Sequence, residues 1–285
     1  MSGIIESVLW SGHGLRHRLR RWSHKGRLER LDARDEAVAA ALEREGGCTT
    51  DLGHLGIARS DEMMSAADRL MREMGALPKQ AGKKSYLTAA GPELIARYPE
   101  IIRWGLDERL LAIAERYHGM PVVYRGVLAR LDFPDGQVEE TRIWHLDQED
   151  DRIMKIIVYV NDVTDEGGPF EFIPASTDPP LSLAKGPKLR VDDEAALQAA
   201  VDPARWKAVT GPRGTVAFAD TCAVLHRGRL PTAGARQTLF YCYNSKWPFR
   251  PTYCEPMFPL ERFAAAAGPL TQRQRDALAF DYIQG

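Results

Sequence analysis

The sequence predicts an α+β domain in which helices precede a β-sandwich or barrel. Two observations support this fold class. Apolar residues recur at helical spacing up to about residue 120, and from there they alternate with the period of two that is typical of strands. The chain has 285 residues, of which 44% are hydrophobic and 27% charged, which is enough to bury one large core. Helices followed by many short strands favour a single domain of mixed class.

Three helices are predicted before residue 120. The first spans 35–45, is rich in helix-forming residues, and ends at Gly46-Gly47. The second spans about 60–74 and has two acidic residues in its first turn. The third spans about 99–117 and shows the clearest helical spacing of apolar residues. We expect the segment 35–120 to buttress a sheet.

Residues 1–34 are predicted to form a basic amino-terminal arm. We expect a solvated helix face or a frayed end, but Trp10 before the basic run and Trp22 within it keep open a weak contact with a membrane surface. The apolar run at residues 4–10 is interrupted by Glu6 and is too short to span a bilayer. The net charge of the whole chain is -1, so no nucleic-acid partner is expected. The basic residues are Arg16, Arg18, Arg20, Arg21, Lys25, Arg27 and Arg30.

Residues 121–245 are predicted to form the β core. The segment 174–213 interrupts this core with a proline-rich stretch and a helical patch around 192–206, and an insertion of that length is often a lid or a binding loop. Residues 246–285 are a carboxy-terminal extension, so that 35–285 form one domain. The predicted strands are 122–131, 141–145, 152–163, 169–173, 214–218 and 236–243.

The four cysteines have no regular spacing. They form no C-x-x-C pair, which argues against both a disulfide framework and a thiolate zinc site. We therefore expect a protein of the reducing cytoplasm. The cysteines are Cys48, Cys222, Cys242 and Cys254.

The motif with the most chemical content is His145-Leu146-Asp147, which comes at the end of a predicted strand. Because alternate residues of a strand share a face, His145 and Asp147 can offer a nitrogen and an oxygen to one ion, and His226 can complete the set. Two imidazoles and one carboxylate on one side of a metal form the facial triad of non-haem iron(II) oxygenases. Zinc could accept the same ligands, and an isolated His-x-Asp can also be a strand end followed by a turn.

Arg236 and Thr238 lie two apart on a later predicted strand. A dicarboxylate that chelates iron through its keto-acid end needs a fixed cation for its distal carboxylate, and arginine beside a hydroxyl supplies one. This pattern suits 2-oxoglutarate, although an ion pair between Arg236 and a protein carboxylate is the alternative. Lys155 and Tyr159 share a strand face and could touch the same molecule, or be an outer lysine and a core tyrosine. Asp220 could orient a ligand or cap a turn.

Residues 144–177 and 214–245 resemble the phytanoyl-CoA dioxygenase family of iron(II)/2-oxoglutarate oxygenases. The likeness rests on His145-Leu146-Asp147, on the turn at 165–170, and on the distal histidine and arginine in the later stretch. It implies a double-stranded β-helix fold of the jelly-roll or cupin-like type. It also implies that His145, Asp147 and His226 are the iron ligands and that Arg236, assisted by Thr238, anchors 2-oxoglutarate. Residues 173–177 depart from the family pattern, since many relatives have Pro-Gly-Ser-His there.

The resemblance implies a hydroxylase that uses Fe(II), 2-oxoglutarate and O₂ and releases succinate and CO₂. Its substrate would be a small organic molecule or a carrier- or lipid-linked one, which the sequence does not identify. Because Asp147 occupies the position that a halogenating relative leaves open for halide, hydroxylation is expected over halogenation. Desaturation, epimerisation and ring formation remain open. The alternatives are a non-catalytic β-helix binding module and a zinc-dependent cupin-like enzyme.

Overall fold

The protein is described here by a computed structural model that covers residues 2–77, 86–261, 263 and 268–281, with the backbone alone for 2–11. Helices fill the amino-terminal part of the chain. Two of the predicted helices, at 35–45 and 60–74, are confirmed, and the first ends at Gly46 in the left-handed conformation. The helices are α1 (Ser2–His24), α2 (Ala33–Glu45), α3 (Leu52–Leu55), α4 (Ser60–Gly75), α5 (Pro92–Ile95), α6 (Pro99–Trp104), α7 (Glu108–His118) and α8 (Glu194–Ala200), with a further short helix at Gln272–Ala277.

Two antiparallel sheets form the β core. The larger has six strands in the order β1-β9-β4-β11-β3-β2, and the smaller has three in the order β10-β5-β8. A two-stranded ribbon pairs β6 with β7. The strands are β1 (Gly47–Asp51), β2 (Leu87–Ala89), β3 (Val122–Asp132), β4 (Ile153–Tyr159), β5 (Phe170–Phe172), β6 (Ala184–Lys185), β7 (Arg190–Val191), β8 (Lys207–Val209), β9 (Thr215–Ala219), β10 (His226–Gly228) and β11 (Arg236–Ser245).

The large sheet has one face toward the helices and one toward the small sheet. Along β4, Ile156 and Val158 pack into the core that the helices share, whereas Ile157 and Tyr159 pack with Phe170 and other residues of the small sheet. This alternation is the period-two pattern of a strand buried on both faces. The two sheets therefore face each other across an interior space, and a jelly-roll protein places its ligands in such a space.

Two of the strands that were missed, β1 and β2, lie in the part of the chain where the sequence pattern is helical. β1 pairs with β9 and β2 pairs with β3, so each forms one edge of the large sheet. Both are short and lack a run of alternating apolar residues. The sequence signal for a strand is therefore weak at these two places.

The single helix predicted for 99–117 is wrong, because it is two helices. The chain breaks after Trp104, and Asp107 starts α7 by accepting a hydrogen bond from the backbone N–H of Arg109 at 2.9 Å. The carbonyl of Gly105 accepts a hydrogen bond from the buried Tyr243 hydroxyl at 2.6 Å. The Tyr243 hydroxyl thus occupies a carbonyl that would accept a backbone N–H in a continuous helix.

The strand predicted for 141–145 is also wrong. Residues Glu140–Arg142 form a short 3-10 turn, and Glu140 has a positive φ of 52°. After this turn, His145 makes only isolated bridges, to Arg190 on one side and His226 on the other.

Part of the insertion at 174–213 forms a strand of the small sheet. Its helix α8 lies within the predicted patch, but β8 pairs with β5 and extends the small sheet. Trp144 and Leu146, which flank His145, pack with Ile173, Leu197 and Leu225 in a small core of their own. The insertion therefore supports the segment that carries the histidine motif.

The amino-terminal arm contains a 23-residue helix, α1, and one face of it contacts the rest of the chain. His17 Nε2 lies 2.8 Å from the carbonyl oxygen of Trp247, and Arg21 Nε donates to the carbonyl oxygen of His118 at 3.1 Å. Among the described residues, no helix has both the length and the hydropathy needed to cross a bilayer.

Candidate metal centre

Backbone pairing brings the two histidines of the predicted triad together. The N–H of His145 donates to the carbonyl of His226, and the N–H of His226 donates to the carbonyl of His145, each at 3.1 Å. The N–H of Asp147 donates to the carbonyl of Thr221 at 2.8 Å. Residues far apart in sequence are thereby held side by side without a regular strand around His145.

The three side chains converge on one point. His145 Nε2 lies 3.9 Å from Asp147 Oδ1, and His226 Nε2 lies 3.7 Å from Asp147 Oδ2. One ligand atom from each residue falls within 4.8 Å of the other two. The spacing fits a single divalent ion held by two nitrogens and one oxygen.

Each imidazole has its ring orientation fixed by its own backbone. His145 Nδ1 lies 2.7 Å from the carbonyl oxygen of Ile143, and His226 Nδ1 lies 3.1 Å from that of Val224. A carbonyl can only accept, so Nδ1 carries the proton and the lone pair of each ring is on Nε2, the atom near Asp147. A hydrogen bond of this kind from the far ring nitrogen is the usual arrangement around metal-binding histidines.

Protonation states also favour a metal. Burial lowers the pKa of His145, and burial together with the nearby His145 ring lowers the pKa of His226 to about 3. Burial alone would raise the pKa of Asp147, but the Lys155 ammonium and the two neighbouring imidazoles together outweigh burial and hold this pKa well below its usual range. At neutral pH the group therefore consists of two neutral imidazoles and one carboxylate, the forms that bind metals.

Lys155 lies beside this group. Its ammonium donates a hydrogen bond to Asp147 Oδ2 and lies 3.8 Å from Glu149 Oε1. The side chain faces the interior, so the alternative of an outer-surface lysine is wrong. Lys155 compensates the charge of Asp147 inside the sheets.

Arg236 is buried, with 3% of its surface exposed, and it has a carboxylate partner. Its Nη2 lies 3.0 Å from Asp132 Oδ2, and its Nη1 donates to the carbonyl of Gly168. The ion pair that sequence reasoning kept as an alternative is therefore present. Gly228 leaves room for the guanidinium, since a Cβ there would lie 2.7 Å from Nη2.

Asp132 is shared by a second arginine that sequence reasoning missed. Arg130 donates to Asp132 Oδ1, and its Nη2 lies 3.3 Å from Thr141 Oγ1. The Nε atoms of both arginines lack a hydrogen-bond partner among the described residues. Two guanidiniums against one carboxylate leave an excess positive charge, and Arg130 and Arg236 both line the cavity described below. The sequence signal was Arg130-Leu131-Asp132, two opposite charges on one face of a largely apolar strand.

Thr238 and Tyr159 lie outside the cavity lining. The hydroxyl of Thr238 is fully buried and has no hydrogen-bond partner within the described part of the chain. The hydroxyl of Tyr159 donates to the carbonyl of Val209 at 2.7 Å and accepts from the N–H of Phe170 at 2.9 Å. Tyr159 thus ties β4 to the small sheet, which matches the core-tyrosine alternative. A contact of Tyr159 or Thr238 with a co-substrate stays a prediction.

A cavity of about 160 Å³ connects the metal-binding group with the two arginines. A second cavity of about 270 Å³ shares Thr141, His145 and Asp147 with the first and is lined by polar residues of the insertion, among them Lys188 and Arg190. Both of these cations pair with Glu140. The apolar lining of the inner cavity comes from Leu128, Ile157, Phe170, Phe240, Cys242 and Met257.

Asp220 caps a turn, and its hydrogen bonds go to the backbone and to Tyr117 and not to His145, Asp147 or His226. Its Oδ1 accepts from the backbone N–H groups of Cys222 and Ala223, and its Oδ2 accepts from the Tyr117 hydroxyl at 2.5 Å. Burial raises the pKa of Asp220 to about 6. The turn it caps precedes His226 and contains Thr221, so Asp220 acts on the metal-binding group only by positioning backbone.

The fold of the chain is similar to that of several solved structures. No protein-family model matches the chain, and no curated protein matches it. Among solved structures, the chain is similar to the non-haem α-ketoglutarate-dependent carbocyclase SnoK from nogalamycin biosynthesis, with 14% identity over 79% of this chain and 92% of that one and a TM-score of 0.51. The chain therefore has a fold similar to that of this enzyme.

Two further structures give the same result. EctD from S. alaskensis, solved with 2-oxoglutarate and 5-hydroxyectoine, is 21% identical over 81% of this chain and 85% of that one, with a TM-score of 0.50. HygX from Streptomyces hygroscopicus, solved with nickel and 2-oxoglutarate, is 17% identical over 76% of this chain and 88% of that one, with a TM-score of 0.50. The expected double-stranded β-helix core agrees with these likenesses.

We predict that Asp132→Asn lowers the free energy of unfolding by about 3 kcal/mol, because it leaves two buried guanidiniums without their carboxylate. The measurement is urea unfolding of the metal-free protein. The matched control is Asp165→Asn, which removes an exposed partner of Arg229 and should cost less than about 1 kcal/mol. Equal losses in the two variants would contradict the account of Asp132 as a shared counter-ion.

Proposed function

We propose that this chain is an Fe(II)- and 2-oxoglutarate-dependent dioxygenase of the phytanoyl-CoA dioxygenase type. It would hydroxylate a C–H bond of a small organic, carrier-linked or lipid-linked substrate. O₂ is consumed, one oxygen atom enters the product alcohol, the other enters succinate, and CO₂ leaves. The observation that carries the proposal is the convergence of His145, Asp147 and His226 at one end of an interior cavity that has two arginines elsewhere in its lining.

The donor set supports iron at the triad. His145 and His226 would bind through Nε2, because the Nδ1 atom of each ring already donates to a backbone carbonyl, and Asp147 would bind through a carboxylate oxygen. Three protein ligands leave positions on the metal for a co-substrate and for O₂. Iron bound there with 2-oxoglutarate supplies the oxidising chemistry that turns C–H into C–OH.

The charge of the cavity supports a dicarboxylate co-substrate. Arg236 and Arg130 share the single carboxylate of Asp132, so the distal carboxylate of 2-oxoglutarate would balance the remaining positive charge. The guanidinium of Arg236 is held in place by Asp132 and by the carbonyl of Gly168 before any ligand binds. Fixed donors of this kind reduce the cost of ordering on binding.

The apolar side of the cavity and the polar outer cavity suggest how the substrate is handled. Leu128, Ile157 and Phe240 would keep bulk water from the reacting C–H bond. The substrate would pass the outer cavity, where Lys188 and Arg190 of the insertion pair with Glu140. This part of the insertion therefore acts as the candidate lid.

We predict that the protein, kept without O₂ and given Fe(II) and 2-oxoglutarate, develops a weak metal-to-ligand absorption band. His145→Ala and His226→Ala should each abolish the band, because each removes one nitrogen ligand. His54→Ala, at an exposed histidine outside the site, is the matched control and should leave the band unchanged. Arg236→Ala should abolish the band at limiting 2-oxoglutarate.

The outcomes separate the proposed function from its alternatives. A wild-type protein that binds neither iron nor 2-oxoglutarate would refute the proposal. Retained zinc with turnover in the absence of O₂ would indicate a zinc enzyme. Succinate release that depends on O₂ and on a compound from a metabolite screen would support the proposal and identify the substrate.

A further inference from the structure

A second group of metal-ligating side chains lies where α1 contacts the loop that follows Asp147. It consists of His13 and His17 on α1 and Asp150 on the loop. His17 and Asp150 are buried, and His13 is partly buried. We propose that these three residues bind a second divalent ion of the zinc class, distinct from the proposed iron.

The geometry fits a small tetrahedral ion. One ligand atom from each of the three residues lies within 4.8 Å of the others, and His13 Nε2 is 3.2 Å from Asp150 Oδ1. Two ligands about 2.0 Å from a tetrahedral ion are separated by roughly 3.3 Å. The observed separation therefore suits two ligands of one ion.

The helix places its two histidines correctly. Residues four apart lie on the same face of a helix, and His-x-x-x-His is the spacing at which helices bind zinc. His17 Nε2 donates to the carbonyl of Trp247 at 2.8 Å, so the lone pair of this ring is on Nδ1. That Nδ1 is buried and has no hydrogen-bond partner in the described part of the chain; Asp151 Oδ2 lies 3.7 Å away.

Asp150 is held in place independently of any ion. Its Oδ1 accepts from the backbone N–H groups of Asp151 and Phe249, and its Oδ2 accepts from the Ser245 hydroxyl at 2.6 Å. Two nitrogens and one oxygen favour zinc over magnesium or calcium, which prefer oxygen. An ion here would fasten α1 to the loop that also carries Asp147.

The test is the number of Zn²⁺ ions retained per chain after loading and desalting, measured by elemental analysis. We expect two for the wild type and one for His145→Ala/His226→Ala. His13→Ala/His17→Ala should also retain one and should still release succinate, so that failure of the second site and failure of the proposed oxygenase are distinguishable. His24→Ala, on the same helix but outside the group, is the control and should retain two.

A simple hydrogen bond between His13 and Asp150 is the competing explanation. It predicts the same metal content with and without His13 and His17. That result would overturn the proposal, as would Co²⁺ loading in which the spectrum of the triad variant lacks a tetrahedral band.

The face of α1 opposite His13 and His17 exposes a stripe of large apolar side chains. Leu15, Leu19 and Trp22 lie on successive turns and are 52%, 60% and 79% exposed. The other large exposed hydrophobic residues of the described chain are scattered in sequence: Leu77, Val138, Leu181 and Tyr253.

The charges around this stripe are all of one sign. Between Glu6 and Glu29 the chain has no acidic residue and six arginines or lysines. We infer that this face of α1 lies on an anionic membrane surface, with the Leu15, Leu19 and Trp22 side chains among the lipids and the basic residues at the headgroups. An apolar stripe favours lipid over nucleic acid, which would contact only the basic residues.

The test is co-sedimentation with vesicles of phosphatidylcholine alone or mixed with phosphatidylglycerol. We expect binding to the mixed vesicles to be at least about tenfold stronger, and Leu19→Ser/Trp22→Ser to lose most of it. Arg16→Gln/Arg18→Gln should weaken binding to the mixed vesicles only. Val138→Ser, at a comparably exposed residue elsewhere, is the matched control.

Three results would overturn the membrane inference. One is equal binding to both kinds of vesicle, and another is unchanged binding by Leu19→Ser/Trp22→Ser. The third is a dimer in solution that the same double substitution dissociates, which would assign the stripe to a second copy of the chain.

Discussion

The reciprocal backbone hydrogen bonds between His145 and His226 are the constraint on which the candidate site depends. They join two segments that are distant in sequence and place both Nε2 atoms beside Asp147. Each ring is then fixed by its own chain through a carbonyl two residues earlier. The arrangement leaves the imidazoles little freedom to rotate, so the metal-binding group is largely formed before a metal is present.

The candidate site also requires that the buried charges between the two sheets have partners of opposite charge. Asp147 is balanced by Lys155, and Asp132 lies between Arg130 and Arg236. A buried charge without a partner would cost several kcal/mol. The first pair is neutral, whereas the second group keeps a positive excess that a carboxylate ligand could balance. In the proposed function, this difference would let one end of the cavity hold the metal and the other the distal carboxylate of 2-oxoglutarate.

The sequence predicted the elements whose signal is local. The helix at 35–45 has its own stop signal, and β3 and β11 have alternating apolar residues. His-x-Asp followed by a distal histidine identified the three side chains that the structure brings together as candidate metal ligands. Features that depend on tertiary contacts were missed. The break after Trp104 reflects the hydroxyl of Tyr243, and the pairing of Asp132 with two arginines depends on β3 lying next to β11. An alternating apolar pattern predicts that a segment is a strand, but it does not show which other strand pairs with it.

In the proposed site, one ion binds at His145, Asp147 and His226, and a keto-diacid reaches from it to the arginines. A crystal structure of the protein grown with Mn²⁺, as a redox-stable substitute for iron, and 2-oxoglutarate tests this claim most directly. We expect one metal bonded to both Nε2 atoms and to the carboxylate, with the far carboxylate of 2-oxoglutarate against Arg236 and Arg130. Metal bound elsewhere, or 2-oxoglutarate absent from the space between the sheets, would contradict it.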